Sequence, residues 1–195
     1  MDWWNKNAIE RRGDLLTWLG DVSAISRGVF RDYVAQRGYH SMVDCGCGPC
    51  IDQLGFGNMH YPMEYHGIDT CDAFVFDATA RNVSVQKGHI SGIPFGDERL
   101  EVAYARHVLE HLPEPESALR EMVRVASREV IITFFIPPSA SEDEIQFTNH
   151  DGAEIYHNRW SERRLCVCLW ALPKVRRVWW QKINEEIMLH VEVKA

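Results

Sequence analysis

The chain has 195 residues, 46% hydrophobic and 25% charged, with a net charge of −7, the balance of one globular domain with a single sizeable core. The acidic excess argues against a mainly electrostatic grip on nucleic acid, which wants a basic face. No apolar run approaches the roughly 18–20 residues of a membrane span, and the charged opening MDWWNKNAIERRGD lacks the apolar stretch of a signal peptide; the six cysteines are therefore expected as reduced thiols in a cytoplasm.

Residues 13–37 are expected to form a helix closed by Gly38, with Leu15, Leu16, Leu19, Val29, Phe30, Tyr33 and Val34 as its apolar positions. A strand follows at 39–44 (YHSMVD), then others at 64–69 (EYHGID), 82–88 (NVSVQKG), 100–105 (LEVAYA) and 129–136 (EVIITFFI). The last of these is continuous enough in apolar residues to be buried on both faces. Between the fourth and fifth strands, 113–126 (PEPESALREMVRVA) opens on prolines and glutamates and then aligns Leu119, Met122, Val123 and Ala126 on one helical face. Pro137-Pro138 stops the fifth strand, and 139–157 reads as a polar, irregular insertion. A helix at 161–172, capped by Ser161, leads into two strands, KVRRVWWQKI and EIMLHVEVK, joined by a tight turn at Asn184-Glu185. Strands alternating with helices predict an α/β fold: a mostly parallel, doubly wound sheet covered on both faces, ending in an antiparallel hairpin.

The first strand runs into SMVDCGCGPC (41–50). Gly46 and Gly48 let the backbone turn sharply and approach a ligand, and the segment after them aims helix N–H groups at an anion. Twenty-five residues beyond Asp44, the second strand ends at Asp69, where a carboxylate can accept hydrogen bonds from both hydroxyls of a ribose. This constellation suits a nucleoside-bearing cofactor. Asp44 stands where a dinucleotide's pyrophosphate would be repelled and a cationic amino acid welcome, which favours S-adenosylmethionine over NAD. Neither glycine pattern is complete: its third position falls on Ile51 in one frame and on Cys50 in the other. Cys45, Cys47 and Cys50 lack the paired spacing of a structural zinc site and the run of an iron–sulfur cluster, so no metal is expected.

VDCGCGPC, HGID and above all IPFGDERLEVAYARHVLEHLPEPESALREMVRV resemble a class I S-adenosylmethionine-dependent methyltransferase of the small type-11 kind, closely over residues 40–136 and loosely elsewhere. The resemblance implies a Rossmann-like seven-stranded sheet in the order 3-2-1-4-5-7-6 with strand seven antiparallel. It implies one domain: a helical cover (1–38), a cofactor-binding core (39–136), an acceptor-side insertion (137–160), and a helix with the terminal hairpin (161–195). It further implies that Asp44, Gly46, Cys47 and Gly48 line the methionine end, Asp69 holds the ribose and Thr70 lies beside the adenine. His89 and Ile90 would form the adenine edge, and Arg106 and His107 would lie beneath the methionine. The family usually has Asp where this chain has His89, a ring that accepts only when neutral.

Methyl transfer needs an aligned nucleophile and exclusion of water, and many acceptors need a base near neutral pH, the natural role of histidine. His111, near the cofactor mouth, and His157, in the insertion, are the candidates; packing of the short turn and anchoring of the loop are their structural alternatives. Trp3 and Trp4 suit a lid or an N-terminal staple, and Glu110 reads as a solvated or helix-dipole charge rather than a base. Residues 157–195 carry eight Lys/Arg against four Asp/Glu, either a solvated basic face or an attraction for an anionic substrate. No amino-methyltransferase tetrad follows strand four, and the insertion is short. A small molecule, or the exposed end of a glycan or lipid, is therefore the expected acceptor. A protein that binds the cofactor without turnover, and an NAD-dependent oxidoreductase, are the competing readings.

Overall fold

The computed structural model describes residues 24–150 and 153–194. Residues 13–23 of the expected first helix, with Trp3 and Trp4, lie outside them. The described helix α1 is Ile25–Arg37; Gly38, at φ 66°, ends it and returns its N–H to Ala35 and Val34.

From there the chain alternates β1 (Ser41–Cys45), α2 (Ile51–Asn58), β2 (Glu64–Asp69), α3 (Asp72–Ala80), β3 (Val85–Lys87) and β4 (Leu100–Arg106). A 3-10 turn at Leu109–His111 follows, then α4 (Glu116–Val125) and β5 (Ala126–Phe134). Helix α3 was not expected from the sequence. The insertion expected to be irregular contains a small hairpin, β6 (Phe147–His150) paired antiparallel with β7 (Ala153–Tyr156). Helix α5 (Glu162–Trp170) leads to β8 (Val175–Ile183) and β9 (Glu186–Val193).

Seven strands form one sheet in the order β3-β2-β1-β4-β5-β9-β8, with β9 antiparallel to both neighbours. Counting only the strands of that sheet, this is the expected order and orientation, a Rossmann-like doubly wound fold.

Alternation along each strand divides the core. On one face Met42, Tyr104 and Ile131 meet Phe30, Val34, Phe56 and Ala78 from α1, α2 and α3. On the other Val43, Ala103, Val130 and Leu189 meet Leu119, Met122, Leu165 and Leu169 from α4 and α5. Trp179 and Trp180 also divide between the faces: Trp179 stacks on buried His190 at 4.8 Å, while Trp180 packs toward Phe134. No described helix is long and apolar enough to cross a membrane.

Candidate active site

The site grows from the carboxyl end of β1. Gly46 and Cys47 both donate backbone N–H to Ile68 O, at 2.8 and 3.1 Å, which folds the turn across the end of β2. Gly46 is left-handed (φ 74°), and a Cβ there would lie 2.6 Å from Val108 Cγ2. Gly48 is also left-handed (φ 50°), but a Cβ there would meet nothing within 4 Å among the described residues. Its bare side faces open space, a cradle that any side chain would fill. Cys50, in place of a third glycine, adopts the same conformation at φ 57°, which costs a non-glycine residue about 1–3 kcal/mol.

The three cysteines of this turn do not share one site, although Cys47 and Cys50 are in side-chain hydrogen-bond contact. Cys45 joins the core on the α4 side, whereas Cys47 and Cys50 join the opposite one. Cys47 occupies the room left by Gly67, where a Cβ would sit 2.7 Å from its sulfur.

Asp69, at the end of β2, is fixed by main chain: Oδ2 accepts Gly48 N–H and Oδ1 accepts Cys71 N–H, both at 2.8 Å. A carboxylate oxygen carries more than one lone pair, so main-chain bonds of this kind orient the group without changing its character as an acceptor. Gly88 N–H bonds Asp69 O at 3.0 Å, which brings His89 and Ile90 to the same rim. His89 is exposed and Ile90 buried; Thr70 is half-buried beside Asp69. Asp44 is buried and accepts Tyr65 Oη–H at 2.6 Å. Burial, then the nearby Asp52 carboxylate, raise its pKa well above the ordinary range.

At the end of β4, His107 is left-handed (φ 57°) and packs its ring 5.1 Å from that of Phe135. Its Nδ1 faces Arg106 Nη1 at 3.2 Å and can only accept there, so Nε2 carries the proton and donates to Glu186 at 2.5 Å. Arg106 Nη2 reaches the same Glu186 oxygen at 2.7 Å. Burial opposes ionisation of Glu186, but the bond from His107, with Ser26 and Arg106, holds its pKa at about 2.

His111 Nδ1 lies 2.7 Å from Tyr156 O and must donate to it, which puts the ring's lone pair on Nε2. Burial lowers its pKa and keeps the ring neutral. The His157 ring stands edge-on 5.3 Å away.

Four hydrogen bonds stitch the returning insertion to the turn at 109–112: His111 to Tyr156 O, Asn158 N–H to Glu110 O, Asn158 Nδ2 to Leu112 O and Trp160 Nε1 to Leu109 O. Glu110 is fully buried, with Oε1 accepting Phe135 N–H at 2.8 Å. The sequence reading of Glu110 as a solvated charge is thus overturned, because its carboxylate ties off the end of β5.

Residues 43–134 match the Methyltransf_11 family, a methyltransferase domain. Those residues, just under half of the chain, carry a methyltransferase domain of that type-11 family. The sheet order with its antiparallel β9 belongs to that class. Over 111 residues, 54% of the chain, the sequence is 31% identical to an uncharacterized 37.1 kDa protein in transposon TN4556 of Streptomyces fradiae, and it spans 32% of that relative's length. Magnesium protoporphyrin IX methyltransferase of Synechocystis PCC 6803, solved with S-adenosylhomocysteine bound, is similar with a TM-score of 0.71 and 12% identity, over 98% of this chain and 97% of that one. A Burkholderia thailandensis 1,6-didemethyltoxoflavin-N1-methyltransferase, bound to 1,6-didemethyltoxoflavin and S-adenosylhomocysteine, gives 0.64 and 14%, over 100% of this chain and 92% of that one. At these identities the two structures share the fold alone.

Within the methyltransferase domain, Asp44, Gly46, Cys47, Gly48 and Asp69 come together around one turn, with His89 one residue beyond the Asp69–Gly88 bond. Arg106 and His107 instead join Ser26 and Glu186 toward α1. Sequence reading missed Ser26, Arg27, Asp52, Tyr104 and Glu186. Asp52 gives no signal because it looks like an ordinary first-turn acid, yet it is buried and paired with both Arg27 and Arg31.

Proposed function

We propose that this chain transfers a methyl group from S-adenosylmethionine to a compact acceptor, or to the exposed end of a larger glycan or lipid. The observation that carries this reading is the Gly48–Asp69 clasp beside an open, side-chain-free cradle. Asp69 takes the ribose hydroxyls; Asp44, Gly46, Cys47 and Gly48 line the methionine end. Thr70 lies beside the adenine, His89 and Ile90 form its edge, and Arg106 and His107 lie beneath the methionine moiety. When bound, the cofactor supplies an electrophilic methyl group. The chain's own residues orient the acceptor, exclude water and take up its proton.

A cavity of about 380 Å³ opens beside the end of β4, lined by Ser26, Arg106, Ile183, Asn184 and Glu186 among others. That volume is at the small end for ligand sites and supports a compact acceptor. On the other flank His111, its lone pair on Nε2, is the candidate base, with His157 beside it.

The test is calorimetric titration with S-adenosylmethionine, followed by mass spectrometry of small-molecule, glycan and lipid extracts incubated with the deuteromethyl cofactor. Asp69→Ala is expected to weaken binding by about 1–3 kcal/mol, through loss of a charged hydrogen-bond partner. Unchanged affinity contradicts the assignment. Tight binding with no label in any extract favours the second reading, a cofactor-binding protein without turnover. The engagement of both His107 ring nitrogens by Arg106 and Glu186 gives that reading its support.

A further inference from the structure

The glycine turn itself reads Cys47-Gly48-Pro49-Cys50, a C-x-x-C pair where β1 gives way to α2. In a βαβ setting that spacing is the mark of a redox dithiol, and nothing in the cofactor site calls for a sulfur at either position. The backbone already holds the pair at bridging range. Cys50 N–H donates to Cys47 O at 2.9 Å, closing a four-residue turn whose end Cα atoms lie within about 7 Å, close to the span a disulfide bridges. The two thiols are in hydrogen-bond contact and pack in the same cluster of the core on the α1 side. Cys45 lies on the opposite side of the sheet and cannot compete for either. All six cysteines are free, so this is the reduced form of the pair.

Cys50 holds its place against strain. Its left-handed backbone, φ 57°, costs about 1–3 kcal/mol, which a glycine would avoid. What the cysteine supplies in return is a sulfur set against that of Cys47. Contact with Cys50, then burial, raise the pKa of Cys47 well above the ordinary thiol range, so the resting pair is protonated. Cys47 is the less completely buried of the two, at 7% exposed against 0%, and is the one an oxidant reaches first.

We propose that Cys47 and Cys50 are a redox-active dithiol, closed to an intramolecular disulfide by a low-molecular-weight disulfide, and that closure loosens the turn's hold on the cofactor. The Cys47 sulfur attacks one sulfur of the small disulfide and expels the other as a thiol, which takes the Cys47 proton. The Cys50 sulfur then attacks Cys47 in that mixed disulfide and expels the second thiol, which takes the Cys50 proton. One S–S bond replaces another: the cysteine pair loses two electrons and the small disulfide gains them. Gly48 lies between the two cysteines, and its N–H clasps Asp69 at 2.8 Å. Drawing the sulfurs from contact to bonding distance re-sets Gly48 and shifts that donor. This last step rests on the cofactor reading above; the dithiol does not.

The test equilibrates the full chain with glutathione and glutathione disulfide at a series of ratios, quenches with acid, alkylates the remaining thiols after unfolding and maps the peptides by mass spectrometry. The expected product is a Cys47–Cys50 disulfide, half-formed at a fixed glutathione poise whatever the protein concentration. Cys50→Gly, which suits the left-handed backbone, should unfold thermally no earlier than the parent and form no internal disulfide. Calorimetry after removal of glutathione should show affinity for S-adenosylmethionine about tenfold weaker or more in the oxidised parent than in the reduced one, restored by dithiothreitol. Both thiols alkylated at the most oxidising ratio, a disulfide joining other cysteines, or equal affinity in the two forms overturns the proposal. A Cys47–Cys50 disulfide in a chain that binds no cofactor in either form would instead remove the cofactor reading and leave the dithiol in place.

Discussion

Glu110 shows how one buried carboxyl joins stability to pH. Burial pushes its pKa up to about 7, against the amides of its own residue, Phe135 and Ile136; its second oxygen is buried without a partner among the described residues. The folded state therefore holds this proton more tightly than the unfolded chain, whose carboxyl titrates near 4.5. Stability from this group is fully present below about pH 4.5 and is lost as pH rises through about 7, on the order of 3 kcal/mol in all. Urea unfolding at a series of pH values should show this decline, and Glu110→Gln should flatten it. A parent and variant with parallel profiles would contradict the assignment. Some single residues were legible and others were not, for physical reasons. Gly46 and Gly48 advertise themselves because left-handed backbone favours glycine, whereas a glutamate's burial depends on a strand 25 positions away, which no local pattern records.

At the scale of elements, a boundary is readable where a side chain itself makes it. Ser161 Oγ accepts Arg164 N–H at 3.2 Å, as a serine before an amphipathic run predicts. Ser161→Ala should cost about 1 kcal/mol, measurable by chemical denaturation, and a neutral result would mean that the Asp143 contacts to Ser161 N–H and Arg164 hold the helix start without it. Helix α3 escaped because DAFVFDATA carries β-branched and aromatic residues without a clear stripe: Phe74 and Ala78 are buried while Phe76 stands 74% exposed. Tertiary packing, not intrinsic propensity, sets its conformation. The β6–β7 hairpin escaped because little apolar alternation marks the sequences FTNH and AEIY. The strand at 64–69 was readable to the residue, being short and flanked by polar turns.

At the scale of the molecule, His107 and His111 from the end of β4 pack on Phe135, and His157 from the returning insertion meets His111. Only His111 has its lone pair directed to Nε2 by a main-chain acceptor. His111→Ala and His157→Ala, compared at saturating cofactor, should separate the candidates. Loss of the base should slow transfer about a hundredfold or more, and if neither variant slows it, neither residue takes the proton. Sheet order was legible through the family resemblance, whereas the alternation of strands and helices with a closing hairpin gave by itself only a mostly parallel sheet with an antiparallel end. The α1 side was the least legible. Its ion cluster joins Arg27, Arg31 and Asp52 across two helices, each unremarkable in its own sequence.

Under the proposed function, the bonds from Leu109, Glu110, His111 and Leu112 to the chain at 156–160 carry a consequence for acceptor choice. The returning insertion is not a loose flap but one cassette with the turn after β4. A graft that swaps residues 137–160 for those of a relative, leaving 109–112 behind, would tear those seams and arrive without its footing; moved together, the two stretches should transplant selectivity as a unit.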